Sequence, residues 1–97
     1  MKNLYYIGLG PGKFVSAELR TYHKGWMITR IFVPEEDEGK DYDIQILQLI
    51  MDDADTEGVI LYLNESMYKD VKDKNVRYMP YGFQIYKGVP RRRPERR

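Results

Sequence analysis

A chain of 97 residues, of which 42% are hydrophobic and 32% charged, has the composition of one globular domain rather than of a disordered or fibrous protein. It contains no cysteine and one histidine, which excludes a disulfide framework and any thiolate or multi-histidine metal site within the chain. No apolar run reaches the length of a membrane span, and the N-terminus becomes polar too early for a signal peptide. We therefore expect a cytoplasmic domain that does not enter a membrane.

The charges are distributed unevenly along the chain, although the net charge is only +1. Residues 35–57 contain ten acidic residues and one basic residue, Lys40, whereas residues 90–97 contain five arginines and Glu95. Such sorting gives the folded chain local patches of opposite sign, and these patches indicate partners better than the overall charge does.

The first third of the chain predicts three strands. The apolar run 3–9 ends in a glycine-rich loop and is typical of a strand. Residues 13–22 alternate between apolar and polar side chains, and residues 26–33 are rich in β-branched and aromatic side chains. We predict an antiparallel hairpin over 13–33, in which Gly25 supplies a positive φ to the turn at 23–25.

The middle third predicts a helix followed by a buried strand. Apolar residues at helical spacing indicate a helix over about 42–54, with Asp41 or Asp43 as its N-cap. The continuous apolar run 59–63 indicates a strand buried on both faces, so that hairpin, helix and strand form a βαβ crossover. We expect the helix to lie on the sheet, with Trp26 and Phe32 in the core beneath it.

The helix ends in Asp52, Asp53 and Asp55, whose charges oppose the helix dipole and therefore require another explanation.

The last third predicts a short second helix over 64–74, strand segments within 76–86 and a basic tail. The fold class is thus a small single-domain α+β or α/β fold with a mixed sheet. Its domain spans 1–89, and the Arg-rich tail spans 90–97.

The run YYIGLGPG, residues 5–12, resembles the opening strand and loop of the tetrapyrrole-methylase family, which would imply binding of S-adenosylmethionine. A loop of this kind, followed by Lys13, could also hold a phosphate on its backbone N–H groups. The sequence departs from that family after residue 12, because a hairpin follows where the family has a helix. A turn that requires glycine is the favoured interpretation of Gly8–Gly12, and we predict no cofactor.

The segment 53–60 resembles the first half of an EF-hand loop, with oxygen ligands at alternate positions before a glycine. The closing glutamate of such a loop would fall at residue 64, which is Asn64. We therefore favour an acidic turn between helix and strand and predict no metal, with Asp53, Asp55 and Glu57 as the only weak candidate ligands.

Aromatic and basic residues near the C-terminus predict contact with nucleic acid through base stacking and phosphate binding. The run YGFQIY, residues 81–86, faintly resembles the aromatic strand of RNA-recognition motifs, but the preceding Lys/Arg-Gly pair and the following helix and strand are missing. Ordinary sheet packing is the competing interpretation. The predicted binding residues are Tyr81, Phe83, Tyr86, Lys87, Arg91, Arg92, Arg93, Arg96 and Arg97.

The acidic segment provides a second interaction candidate. It could occupy a basic groove of a partner protein or bind the basic tail of another copy, and a solvated face is the simpler alternative. Its predicted residues are Glu35, Glu36, Asp37, Glu38, Asp52, Asp53 and Asp55.

No arrangement in the sequence predicts catalysis. His23 falls in a predicted exposed turn, neither Ser16 nor Ser66 lies in a nucleophile motif, and the carboxylates lack a desolvating environment. We therefore predict a small non-enzymatic binding module that contacts nucleic acid or a nucleic-acid-binding protein. The alternative is a protein-binding regulator or inhibitor of the type encoded by phages and archaeal viruses, acting through 35–57, and a small enzyme is a third, less favoured alternative. A homodimer with 76–86 in or beside its interface is also predicted.

Overall fold

One six-stranded mixed sheet organises the computed structural model, which describes residues 2–67 and 77–95. The expected small mixed α+β domain is confirmed. A single α-helix, α1 (Tyr42–Glu57), occurs within these residues. The strands, in the spatial order β1-β2-β3-β4-β6-β5, are β1 (Leu4–Gly10), β2 (Lys13–Tyr22), β3 (Gly25–Phe32), β4 (Leu61–Leu63), β5 (Gln84–Tyr86) and β6 (Val89–Arg92).

The predicted hairpin over 13–33 is confirmed, because β2 and β3 pair in antiparallel orientation across a two-residue turn. The positive φ angles belong to His23 and Lys24, at 45° and 63°. Gly25 was expected to supply the positive φ, and this expectation is wrong. A Cβ atom at Gly25 would lie 2.3 Å from the carbonyl oxygen of Ile60, so glycine is required there by the close approach of two backbones.

The predicted βαβ crossover is also confirmed, since β3 and β4 pair in parallel and α1 connects them. The helix ends at Gly58, whose φ of 69° and bonds to the carbonyl groups of the last turn form the expected C-cap. The predicted position of the N-cap is confirmed, but the expected side-chain hydrogen bond to the backbone is not formed. Asp41 occupies the cap position with a φ of 61° but makes no side-chain cap bond, because the carboxylates of Asp41 and Asp43 both bind Arg77.

The core lies between α1 and one face of the sheet, where alternate residues of β1 to β4 meet the apolar side of the helix. Burial of these side chains supplies the main favourable term in folding. The most completely buried members are Val15, Ala17, Ile28, Leu61 and Leu63 from the sheet and Ile46, Leu47, Ile50 and Ala54 from α1.

Phe32 was expected in the core with Trp26, but its ring is exposed on the opposite face of the sheet. The register between β2 and β3 shifts at Glu18 and Leu19, where Thr29 is an extra residue in β3. Because a bulge of one residue reverses the alternation that follows it, Trp26 points toward α1 and Phe32 points away from it.

The C-terminal part of the sheet corrects the predicted tail. Val89–Arg92 form a strand inserted between β4 and β5, so the boundary expected at residue 90 falls within the sheet. Met79–Tyr81 form a short 3-10 turn, and Gln84–Tyr86 form a strand at one edge of the sheet. Glu65–Met67 form a 3-10 turn at the start of the segment predicted as a second helix, and the rest of that segment lies outside the described residues. In the described part of the chain, no helix is long and apolar enough to span a membrane.

Candidate nucleic-acid interface

The sheet face opposite α1, here called the open face, carries most of the exposed aromatic rings of the protein. Strand alternation and pairing register assign residues to this face, since Tyr5, Val15, Leu19 and Leu61, which alternate with its members, belong to the core on the other side. The aromatic and basic members of the open face are Tyr6, Phe14, Arg20, Tyr22, Arg30, Phe32, Tyr62, Tyr86 and Arg91.

Backbone register aligns these side chains in rows across the sheet. One row runs across five strands and contains Arg20, Met27, Tyr62, Arg91 and Gln84. Directly paired residues lie about 5 Å apart. Because Met27 and Tyr62 in the middle of this row are only 4% and 8% exposed, the accessible members of the row are Arg20, Arg91 and Gln84.

A second row contains Tyr6, Ser16 and Phe32, next to the ring of Phe14. The rings of Tyr6 and Phe14 meet edge to face at 5.4 Å. Four open-face rings are unusually accessible, with exposed fractions of 56% for Tyr6, 45% for Phe14, 41% for Phe32 and 45% for Tyr86. Exposed aromatic rings grouped on one face indicate a contact surface, because single-domain proteins generally bury such groups.

Cations alternate with the rings on the open face. The guanidinium of Arg20 lies 5.5 Å from the ring centre of Tyr22, and that of Arg30 lies 5.6 Å from the ring centre of Phe32. Arg91 lies over the ring of Tyr86 at 3.6 Å. Among the residues of the six strands, the sole acid is Glu18, so the open face has a positive charge.

The predicted binding residues separate into two groups at β6. Tyr86 and Arg91 lie on the open face, with Lys87 in the turn beside them, and Arg93 is exposed just beyond the strand. Arg96 and Arg97 lie outside the described residues.

The inclusion of Phe83 and Arg92 in the predicted surface is wrong, because their side chains are only 3% and 5% exposed. Arg92 pairs with Leu61 on the helix side of the sheet, and Tyr81 is half-buried against the core there. The backbone carbonyl of Tyr81 accepts a hydrogen bond from Nε of Arg92 at 3.0 Å.

Arg92 forms a buried two-point ion pair with Asp55 of α1. The Nη1–Oδ1 and Nη2–Oδ2 distances are 2.7 and 3.2 Å, and the Asp55 side chain is 1% exposed. The same carboxylate accepts the backbone N–H of Glu95 at 2.9 Å. Asp55 therefore compensates a buried arginine, which explains one of the aspartates that oppose the helix dipole.

Asp53 is explained by a second long-range bond, in which the hydroxyl of Tyr5 donates to its Oδ2 at 2.6 Å. Burial and the neighbouring Asp53 carboxylate raise the pKa of the Tyr5 hydroxyl well above its ordinary value. Asp53, Asp55 and Glu57, the weak metal candidates, lie within α1 rather than in a loop. Within residues 2–67 and 77–95, no group of three or more potential ligands is placed to hold a metal ion.

Carboxylates at the start of the acidic segment bind Lys13, the residue that follows the glycine loop. Nζ of Lys13 lies 2.8 Å from Glu36 and 3.2 Å from the buried carboxylate of Asp37, which Lys40 also binds at 3.0 Å. The hydrogen bond from Lys40, together with Lys13, holds the pKa of Asp37 below its ordinary value, and Glu36 and Asp37 raise the pKa of Lys13. Lys13 is thus committed to carboxylates, which argues against a phosphate site at Gly8–Gly12.

Asp43 forms a second such cluster at the start of α1. Its carboxylate accepts hydrogen bonds from Nε of Arg77 at 2.7 Å and from the hydroxyl of Tyr78 at 3.1 Å. Burial alone would raise the pKa of Asp43, but the hydrogen bonds and charge of Arg77 outweigh it and hold this pKa below its ordinary value. The Asp43 carboxylate conversely raises the pKa of Arg77, and burial with the charge of Asp43 raises that of Tyr78.

Several of the acidic residues predicted for an interaction face therefore make contacts within the domain instead. Asp37, Asp53 and Asp55 make the internal contacts described above, whereas Glu35, Glu38 and Asp52 are exposed. Glu36 is exposed as well and pairs with Lys13.

Comparison with protein-family models, with curated proteins and with solved structures finds no match to this chain. The functional interpretation therefore depends on the geometry of the open face. Sequence reasoning missed its members in β1 to β3, although one signal was present: residues 14, 16, 18, 20 and 22 form the polar register of β2, and this register begins with Phe14 and ends with Tyr22.

Proposed function

We propose that this protein is a non-enzymatic module that binds single-stranded nucleic acid on the open face of its sheet. The single observation that carries the proposal is the alternation of exposed rings and cations on a face that α1 leaves uncovered.

The rings favour a nucleic acid whose bases are accessible. Every base has a flat aromatic surface, and stacking of a base on a protein ring contributes about 1–3 kcal/mol regardless of sequence. Tyr6, Phe14 and Phe32 are exposed enough to receive bases. A duplex keeps its bases stacked on one another, so we favour a single strand.

The cations favour a polyanion over a neutral partner. Arg20, Arg30, Lys87 and Arg91 each lie within 5.6 Å of the centre of an aromatic ring, which places charge for phosphates next to surfaces for bases. If each cation contacts one phosphate, four contacts give a log–log salt slope of about −3 for a single strand. The affinity should then fall about 50-fold between about 50 and 200 mM salt.

The alternative, a protein-binding regulator that acts through residues 35–57, has less support. Four of its seven predicted carboxylates, Glu36, Asp37, Asp53 and Asp55, make contacts within the domain. Exposed acids such as Glu35 and Glu38 are sufficiently explained as a solvated surface.

Fluorescence anisotropy with labelled single-stranded DNA, single-stranded RNA and duplex DNA tests the proposal. Tyr6→Ala and Phe32→Ala should each weaken binding of a single strand by about 5- to 150-fold, the equivalent of one lost stacking contact. Leu49→Ala is the matched control, because Leu49 is an exposed apolar residue of α1, and this variant should bind like the wild type.

Two results would contradict the proposal. The first is the absence of binding to any probe at about 50 mM salt, which would direct attention to the acidic segment and a search for protein partners. The second is an equal loss of affinity in Tyr6→Ala and Leu49→Ala, since the open face would then have no special role.

A further inference from the structure

A pocket of about 250 Å³ lies at one end of the open face, between two tight turns. The β2–β3 turn contains His23 and Lys24, and the β5–β6 turn contains Lys87 and Gly88. The side chains that line the pocket are those of Tyr22, His23, Tyr62, Tyr86, Lys87 and Val89.

Both turns hold side chains in a backbone conformation that L-residues adopt rarely. The φ angles of His23, Lys24 and Lys87 are 45°, 63° and 50°, in the left-handed region where glycine or asparagine is favoured. The chain therefore retains an imidazole and two ammonium groups at positions where they strain the backbone. Tight hairpin turns require a positive φ at these positions, and of the three strained residues His23 and Lys87 line the pocket whereas Lys24 does not.

The lining combines flat apolar surfaces with groups that donate hydrogen bonds. The ring of Tyr22 meets that of Tyr62 edge to face at 4.8 Å and that of His23 at 4.3 Å. Lys87 brings a positive charge, and its Nζ lies 5.4 Å from the ring centre of Tyr86. The lining residues include no carboxylate.

This chemistry distinguishes between two ligands that aromatic pockets commonly hold. A quaternary ammonium ion prefers a cage of rings without a competing cation, and Lys87 disfavours it here. A nucleobase with an attached phosphate fits both properties, because rings can stack on the base while an ammonium group binds the phosphate.

We propose that this pocket holds one nucleobase of the bound strand, with an adjacent phosphate on Lys87 and His23. The inference rests on the proposed function, since Tyr22, Tyr62 and Tyr86 belong to the open face. The rest of the strand then crosses the sheet toward Phe32 and Tyr6.

Glycine substitutions in the two turns provide a test that does not depend on a destabilised variant. Lys87→Gly and His23→Gly remove the proposed phosphate ligands and relieve the left-handed backbone, so the melting temperature should stay the same or rise. Lys24→Gly is the matched control, because it removes a cation from the same turn, with the same relief of backbone strain, but Lys24 does not line the pocket.

The probe is a fluorescein-labelled oligothymidylate of about ten nucleotides, a length that one small domain can cover. Lys87→Gly should weaken binding at least about tenfold, the equivalent of one charge-assisted hydrogen bond, and His23→Gly severalfold. Lys24→Gly should remain within about twofold of the wild type. In parallel, an oligonucleotide that contains 5-iodouracil should form photochemical crosslinks to Tyr22, Tyr62 or Tyr86.

The failures of the two proposals are distinguishable. If the pocket variants bind normally while Tyr6→Ala loses affinity, or if crosslinks form only outside the pocket, the pocket inference is overturned and the proposed function stands. Equal losses in Lys24→Gly and Lys87→Gly also overturn it, since they indicate a general effect of charge. If the wild-type protein binds no probe, the proposed function itself fails.

Discussion

Neighbouring arginines of β6 should have opposite roles, because Arg92 points toward α1 and Arg91 lies on the open face. Replacing Arg92 with methionine keeps an apolar stem and leaves the carboxylate of Asp55 buried without its cation. Breaking a buried ion pair on one side costs about 3–5 kcal/mol. The free energy of unfolding of a domain of this size is about 5–15 kcal/mol, so this loss should remove a large fraction of it.

The expected result is a melting temperature about 15–25 °C lower for Arg92→Met, measured by circular dichroism. Arg91→Ala should change the free energy of unfolding by no more than about 1 kcal/mol, because it removes only a cation–π contact with Tyr86. Arg91→Ala should instead weaken nucleic-acid binding and reduce the magnitude of the salt slope by about 0.7.

A double variant provides the decisive comparison. Asp55→Leu combined with Arg92→Met removes both charges, and it should recover most of the stability lost in Arg92→Met. The reasoning is refuted if Arg92→Met melts at the wild-type temperature, or if Arg91→Ala is the more destabilised of the two single variants.

Three further predictions concern the fold, the response to acid and the assembly. Gly25→Ala should cost about 1–3 kcal/mol in urea unfolding because its Cβ would meet the backbone of Ile60, whereas Gly8→Ala, in an open part of β1, should be tolerated. Because the folded-state pKa of Asp43 lies below its ordinary value, its stabilising contribution is present above pH about 4 and is lost as the pH falls further. The urea midpoint of Asp43→Asn should therefore depend less on pH in this range, and an unchanged dependence would contradict the assignment. The exposed edge strand Gln84–Tyr86 predicts a homodimer, which a monomer in sedimentation at both about 0.1 and 1 M salt would exclude.

The sequence predicts the elements of this fold where local patterns are decisive. Period-two alternation and a two-residue turn are sufficient for the hairpin 13–33, and helical spacing followed by an apolar run is sufficient for the crossover. The strand β6 was missed because its formation depends on pairing with β4, from which it is distant along the chain: Tyr62 pairs with Arg91. A proline followed by three arginines shows no strand pattern of its own, and such a segment is ordered by its neighbours.

The residues of the open face were only partly predictable, for a related reason. Composition alone predicts Tyr86, Lys87 and Arg91 as surface residues. Which arginine of β6 faces outward follows from strand alternation, and the sequence of this segment is typical of a basic tail rather than of a strand. The orientation of Phe32 depends on the bulge at Thr29, and the sequence around residue 29 contains no pattern that predicts a bulge.

The basic residues described here form two groups, according to whether they contact carboxylates within the domain or aromatic rings on the open face. Lys13, Arg77 and Arg92 bind Asp37, Asp43 and Asp55, so their charges are largely compensated within the domain. On the open face the arginines lie against rings, and rings leave their charge available to a polyanion. Most of the exposed carboxylates of the described residues lie in α1 and in the loop before it, where they repel phosphate within the Debye length of about 8 Å at physiological salt, whereas the open face carries one, Glu18. If the protein binds nucleic acid as proposed, this distribution of charge would attract an approaching strand to one side of the domain and repel it from the other, which would orient it on the open face before any ring is contacted.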